Sequence, residues 1–193
     1  MRNLKNQVRS IGKLNTRDDN TETDEMKIEG YFVVFNSETE LYDGMYEEIS
    51  DKAFANIDLS DVRALADHDT AKVLGRTKSN TLKLSVDDKG LYGEIIINKN
   101  DTEAVNLYER VKRQDIDQCS FGFNILNETM EQRADGTTKW TITEIELFEV
   151  SVVTFPAYAD TSVEARSAQI EQMKQRNLQT RKQQLKERIN KWH

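Results

Sequence analysis

A serine hydroxyl attacks a carbonyl at neutral pH only when a base takes its proton, and histidine is the side chain whose pKa suits that task. The chain has two histidines, His68 and His193. His68 lies in "ALADHDTAKVLGRT", at the end of a predicted strand, whereas His193 is the last residue of a predicted tail. The serine worth pairing with His68 is Ser120 in "DQCSFGF", where a strand is expected to begin. Gly122, two residues on, would let backbone N–H groups approach a developing oxyanion. Beside Ser120 stands Cys119, the single cysteine and a rival nucleophile. Neighbours on a strand point to opposite faces, so the two cannot share one site. With Ser120 toward His68, Cys119 faces the core as a small hydrophobe. A carboxylate that orients the base is available in "ELFEVSVVTFPAY", and the order His, Ser, Glu is admissible because such constellations recur in any chain order. The plainer reading of a lone histidine is a surface or structural role, and of a lone strand serine, packing.

Composition narrows the alternatives. One cysteine excludes an internal disulfide, and one cysteine with two histidines leaves no zinc cluster, so neither metal nor cofactor is expected. Walker and dinucleotide signatures are absent from the sequence. No apolar run nears the roughly 20 residues of a membrane helix, and the opening "MRNLKNQVRSIGKL" lacks the apolar block of a secretory signal, so a cytosolic chain without membrane contact is expected. The net charge of -7 is uneven: residues 165–193 hold eight Lys/Arg against Glu171 and Glu187, which leaves the remainder at -13. An acidic body repels phosphate backbones, so nucleic acid is an unsuitable partner, while the basic end could meet an acidic one.

The elements that must position these residues read as mostly β with peripheral helices. Residues 1–25 join a basic opening to the polar run "TRDDNTETDE" and are expected to form a flexible arm. Order is expected from "MKIEGYFVVFN", a buried strand. "LYDGMYEEI" reads as a hairpin turning at Asp43-Gly44, with Ser50 or Asp51 capping a short helix after it. "VRALADHD" and "AKVLGRT" form strands about a polar turn, and "TLKLSV" and "LYGEIII" a hairpin through "DDKG". Asn100 or Asp101 caps a helix to about Arg113, with Ala104, Tyr108 and Val111 on one face. "CSFGFNIL" and "KWTITEIELFEVSVVTF" are long strands about "RADGTT", the second long enough to bend or split near Glu149. Pro156 closes the folded part, and residues 163–193 read as a basic helical tail with a sparse seam of Leu178, Leu185 and Trp192. At 193 residues this makes one domain over 26–162 with an arm and a tail.

Three stretches in order, "DHDTAKVLGR", "CSFGF" and "LFEVSVVTFPAY", together with "IEGYFVVFN" and "DDKGLYGEI", resemble the prohead proteases of tailed phages, the serine peptidases that mature capsids. The resemblance spans residues 26–165 and implies a fold related to the herpesvirus assemblins, a β-barrel with surrounding helices. It implies His68 as general base and Ser120 as nucleophile. Assemblins place a second histidine third; here that position falls to a carboxylate, and Glu149 in the matching "EVS" motif is the one assigned. Asp67 and Asp69, immediate neighbours of His68, are less well placed to reach its ring. The family commonly carries an apolar residue where Cys119 stands and a glycine-containing turn where this chain has "RQDIDQC". Arg76 has no matching second arginine, so the oxyanion donors stay unassigned. Phe121, Phe123 and the Pro156-Ala157-Tyr158 run read as packing residues.

The implied activity is a serine endopeptidase, acting in the procapsid inside the host cytoplasm on the scaffold, the scaffold-like arm of the major capsid protein, and itself. Self-association, as in assemblins, is a further expectation. Competing readings are a catalytically silent scaffold or chaperone of the same fold, an unrelated domain that recruits a basic partner, and a Cys119 nucleophile.

Overall fold

The computed structural model describes residues 4–18 and 25–155. The basic tail over 163–193, its seam, His193 and the Pro156-Ala157-Tyr158 run lie outside the described residues.

Among the described residues, ten strands build the fold: β1 (Gln7–Asp18), β2 (Met26–Val34), β3 (Thr39–Tyr42), β4 (Met45–Ile49), β5 (Arg63–Ala66), β6 (Asp69–Arg76), β7 (Leu82–Val86), β8 (Gly90–Ile96), β9 (Gln118–Gln132) and β10 (Thr138–Val153), with one α-helix, α1 (Thr102–Lys112). The order across the sheet is β3-β4-β10-β9-β1-β2-β8-β7, and β5 joins β10 while carrying β6 on its other side. The expected mostly β class holds. The barrel does not close: among the described residues no ladder joins β6 to β7, so the sheet ends open there. Gly75 of β6 comes close to Thr81, just before β7, where a Cβ on it would lie 2.7 Å from the Thr81 carbonyl oxygen.

Local signals explain most elements. Gly44 takes φ +73° at the β3–β4 turn, and the Ser50 hydroxyl accepts the Lys52 N–H to cap a 3-10 turn over Asp51–Phe54. The Asp101 carboxylate accepts the N–H groups of Glu103 and Ala104, which starts α1, and Ala104, Leu107, Tyr108 and Val111 turn its apolar face inward. The core they join includes Ile28, Phe32, Leu91, Ile95, Phe121, Phe123 and Val150, all buried. Phe121 and Phe123 stack at 4.7 Å between ring centroids, as packing residues should.

Residues 7–18 of the expected arm are instead β1, held between β2 and β9 by antiparallel ladders. Hydrophobic patterning could not reveal it, because two of its inward residues are polar. Gln7 and Arg9 are buried, and the Arg9 guanidinium pairs through two nitrogens with Glu47 of β4, whose side chain is also buried. A paired charge can lie in an interior where a lone one would be expelled. Gly12 then allows β1 to approach its neighbours, since a Cβ there would sit 1.7 Å from the Tyr31 carbonyl oxygen.

β10 has two partners in succession on one edge. β4 runs parallel to residues 138–142 and β5 parallel to 149–152. The strand remains continuous where a split near Glu149 was conceivable, but its register against β9 slips between Leu147 and Glu149, so that Phe148 is an extra residue. Such a bulge re-aims the side chains on its C-terminal side.

Candidate active site

That bulge decides where Glu149 points. Leu147 pairs with Phe123 and faces the core, and simple alternation would send Glu149, two residues on, to the same face. With Phe148 inserted, Glu149 instead lies opposite Gly122, and Ser151 opposite Ser120, on the other face of the sheet. The apolar pattern of the sequence shows the same slip: Ile145 and Leu147 are followed by Val150 and Val152.

His68 reaches this face from the β5–β6 turn. Asp67 and His68 have φ of +48° and +58°, both in the left-handed region, with Ala66 and Asp69 paired across the turn. Positive φ at both central residues is the pattern of a type I′ hairpin turn, a place usually taken by Asn-Gly. For two residues with a Cβ it costs roughly 1 kcal/mol each or more. The turn is tied down by Asp67, whose carboxylate accepts the Thr154 N–H at 2.7 Å and whose own N–H donates to the Val152 carbonyl.

The three residues come together in a hydrogen-bonded chain. His68 Nδ1 lies 2.7 Å from Glu149 Oε1, and His68 Nε2 lies 2.9 Å from Ser120 Oγ. The other carboxylate oxygen of Glu149 accepts the Ser151 hydroxyl at 2.6 Å. Gly122 makes the arrangement possible: a Cβ there would lie 2.3 Å from Glu149 Oε1 and 2.7 Å from the Phe148 ring. Its service is space for the carboxylate, which the sequence pattern alone does not disclose. Ser120 is fully buried, the Glu149 side chain is 7% exposed, and the His68 side chain is 25% exposed.

Ser120 Oγ also donates to the Arg9 carbonyl at 2.8 Å. The β1 register shifts between Arg9 and Gly12, so Ser10 and Ile11 together stand opposite the serine. Neither Arg9 nor Ser151 is among the residues that the sequence pattern singles out. Ser151 was findable, because it sits two residues from Glu149 on a strand and therefore shares its face; the Arg9 carbonyl had no sequence signal.

The other named residues are elsewhere engaged. Asp67 holds Thr154, and Asp69 Oδ1 accepts the Ala71 N–H at 2.9 Å, so neither rival carboxylate is the partner of the His68 ring. Arg76 forms a two-nitrogen pair with Asp61 at 2.5 and 2.7 Å. Cys119 is buried with its Sγ 3.2 Å from the Tyr31 carbonyl oxygen, and burial pushes its thiol up to about 12. In the loop before Ser120, in the stretch that departs from the glycine-containing turn of the resembled family, Gln114 takes a left-handed position, φ +64°. Among the described residues no group of His, Cys, Asp and Glu could hold a metal ion, and no helix is long and apolar enough to cross a membrane.

The arrangement can do one kind of chemistry well. A carboxylate on Nδ1 leaves the lone pair of Nε2 facing a hydroxyl, which is the geometry for general-base activation of an oxygen nucleophile. Residues 12–176 match the family model described as caudovirus prohead serine protease. None of the curated proteins matches the chain. Among solved structures, the bacteriophage T4 capsid assembly protease, gp21, is similar with a TM-score of 0.48 and 11% identity, over 77% of this chain and 96% of that one.

Proposed function

The chain belongs to the caudovirus prohead serine protease family, and from that membership we propose that it is a serine endopeptidase in which Ser120 is the nucleophile, His68 the general base and Glu149 the residue that orients His68. The observation that carries the reading is the continuous chain from Glu149 Oε1 through both ring nitrogens of His68 to Ser120 Oγ, at 2.7 and 2.9 Å.

With Glu149 ionised, its oxygens only accept, so Nδ1 carries the ring proton and Nε2 is the acceptor. The Ser120 proton passes to Nε2 as Oγ attacks the scissile carbonyl. The imidazolium, held by Glu149, returns that proton to the leaving amine, and water then releases the acyl group by the same path in reverse. Ser151 donates to the carboxylate oxygen that faces away from the ring, which leaves Oε1 for His68.

The serine has one proton and two acceptors, Nε2 and the Arg9 carbonyl. It is also fully buried, so a peptide carbonyl reaches Oγ only when the groups above it give way. Both features support a resting enzyme that needs a rearrangement to become active, and family membership points to the procapsid in the host cytoplasm as the place where that happens. The proposed substrates are the scaffold, the scaffold-like arm of the major capsid protein, and the protease itself, with self-association of the protease as part of that assembly.

Co-expression with the major capsid protein of the same virus tests the reading by intact mass. Truncated capsid protein and truncated protease in wild type, both lost in Ser120→Ala, are the expected result. Identical masses in shells that contain the protein would favour a silent assembly module.

A further inference from the structure

Along the edge of β10 that carries β4 and β5, neither ladder covers residues 143–148. The chain between those two strands runs through the 3-10 turn over Asp51–Phe54 and the loop after it. Among the described residues, no backbone hydrogen bond joins residues 51–62 to 143–148. Between this loop, β10 and Leu126 and Asn127 of the neighbouring β9 lies a groove of about 840 Å³.

The lining has two characters. Ile57, Leu126 and Phe148 give it apolar surface, with Leu126 55% exposed. Asp58, Glu144 and Glu146 stand exposed along it, and Lys52 is the single cation among its described lining residues. The Ser60 hydroxyl and N–H hold the Asp58 carboxyl below its usual range. One end meets the site itself: Phe148 lines the groove and lies against Gly122, across which Glu149 reaches His68.

We propose that this groove is the subsite for an extended stretch of the substrate polypeptide beside the scissile bond, and that it favours a stretch alternating apolar and basic side chains. A strand edge without its ladder offers main-chain groups that an incoming extended peptide can pair with. Alternation along such a peptide sends every second side chain to the apolar floor and the others to the acidic rim. Continuity with the hydrogen-bonded triad makes the occupant a substrate in place of an unrelated ligand. This inference rests on the proteolytic reading for the identity of the occupant, while the binding it describes does not require turnover.

The test uses the full-length Ser120→Ala chain, which cannot cleave, and two labelled probes: a short capped peptide alternating valine and lysine, and its counterpart with glutamate for lysine. Anisotropy is expected to show binding of the lysine peptide alone, with amide shifts in nitrogen-15 spectra centred on residues 143–148. Replacing Glu144 and Glu146 together by Gln should weaken binding about fivefold, as two exposed charge pairs do. Equal binding of both probes would overturn the proposal. So would an unchanged affinity in the double variant, or shifts confined to other parts of the acidic body. Failure of the triad is read separately, as cleavage of capsid protein that survives Ser120→Ala in co-expression.

Discussion

At the scale of the residue, the site depends on atoms that are absent as much as on those present. Gly122→Ala would drive a methyl group into the space held by Glu149 Oε1, 2.3 Å away. Displacing an orienting group by about 1 Å can cost about 100-fold in rate, so cleavage of capsid protein should fall by about that factor while the thermal midpoint moves little. A variant of wild-type activity would show that the carboxylate has no positioning role. Cys119 provides the opposite case, a reactive residue type made inert by its surroundings. Its thiol, pushed up to about 12, should resist iodoacetamide at pH 8 in the folded chain and react on denaturation. Sign follows from the same shift: the folded thiol keeps its proton where the unfolded one loses it, so this contribution to stability is complete below about 9 and declines as pH rises toward about 12. Denaturant midpoints of wild type and Cys119→Ala across that range should converge as the pH climbs, and a constant difference would refute the linkage.

At the scale of the element, two devices set the geometry, and they differ in how far the sequence discloses them. The Phe148 bulge leaves a trace, because the apolar phase shifts between Leu147 and Val150 and announces that Glu149 and Ser151 face away from the core. The Asp67–His68 turn leaves none, since both residues occupy backbone positions that composition assigns to glycine or asparagine. The β7–β8 hairpin and α1 were legible because their signals are local: turn residues, a capping Asp101 and an apolar face at helical spacing. β1 was not, because two of its buried residues, Gln7 and Arg9, are polar, and the partner that lets Arg9 lie inside, Glu47, is far along the chain. The same pair gives a stability test. Glu47→Gln removes the partner of a buried guanidinium and should cost about 3–5 kcal/mol in urea unfolding. The double change Arg9→Met with Glu47→Leu should recover most of that loss. A Glu47→Gln variant as stable as wild type would remove the ion pair from the account of why β1 folds in. The barrel expectation failed because the sheet stays open, with no ladder joining β6 to β7 among the described residues.

At the scale of the whole molecule, the open sheet brings Ser120 and Glu149 together on one face of β9 and β10, with β1 paired beside β9 and His68 reaching that face from the β5–β6 turn. Under the proposed function this is a processing enzyme whose resting serine is covered, and its activity is expected in the assembled shell more than in dilute solution. In the proposed reaction Ser120 is the nucleophile and His68 takes its proton. Labelling of wild-type and His68→Ala proteins within procapsids by a fluorophosphonate, followed by peptide mass mapping, tests it most directly. An adduct on Ser120 in wild type, absent from His68→Ala, is the expected result. Capsid cleavage that continues with Ser120 unmodified, or with the adduct on another residue, would contradict it.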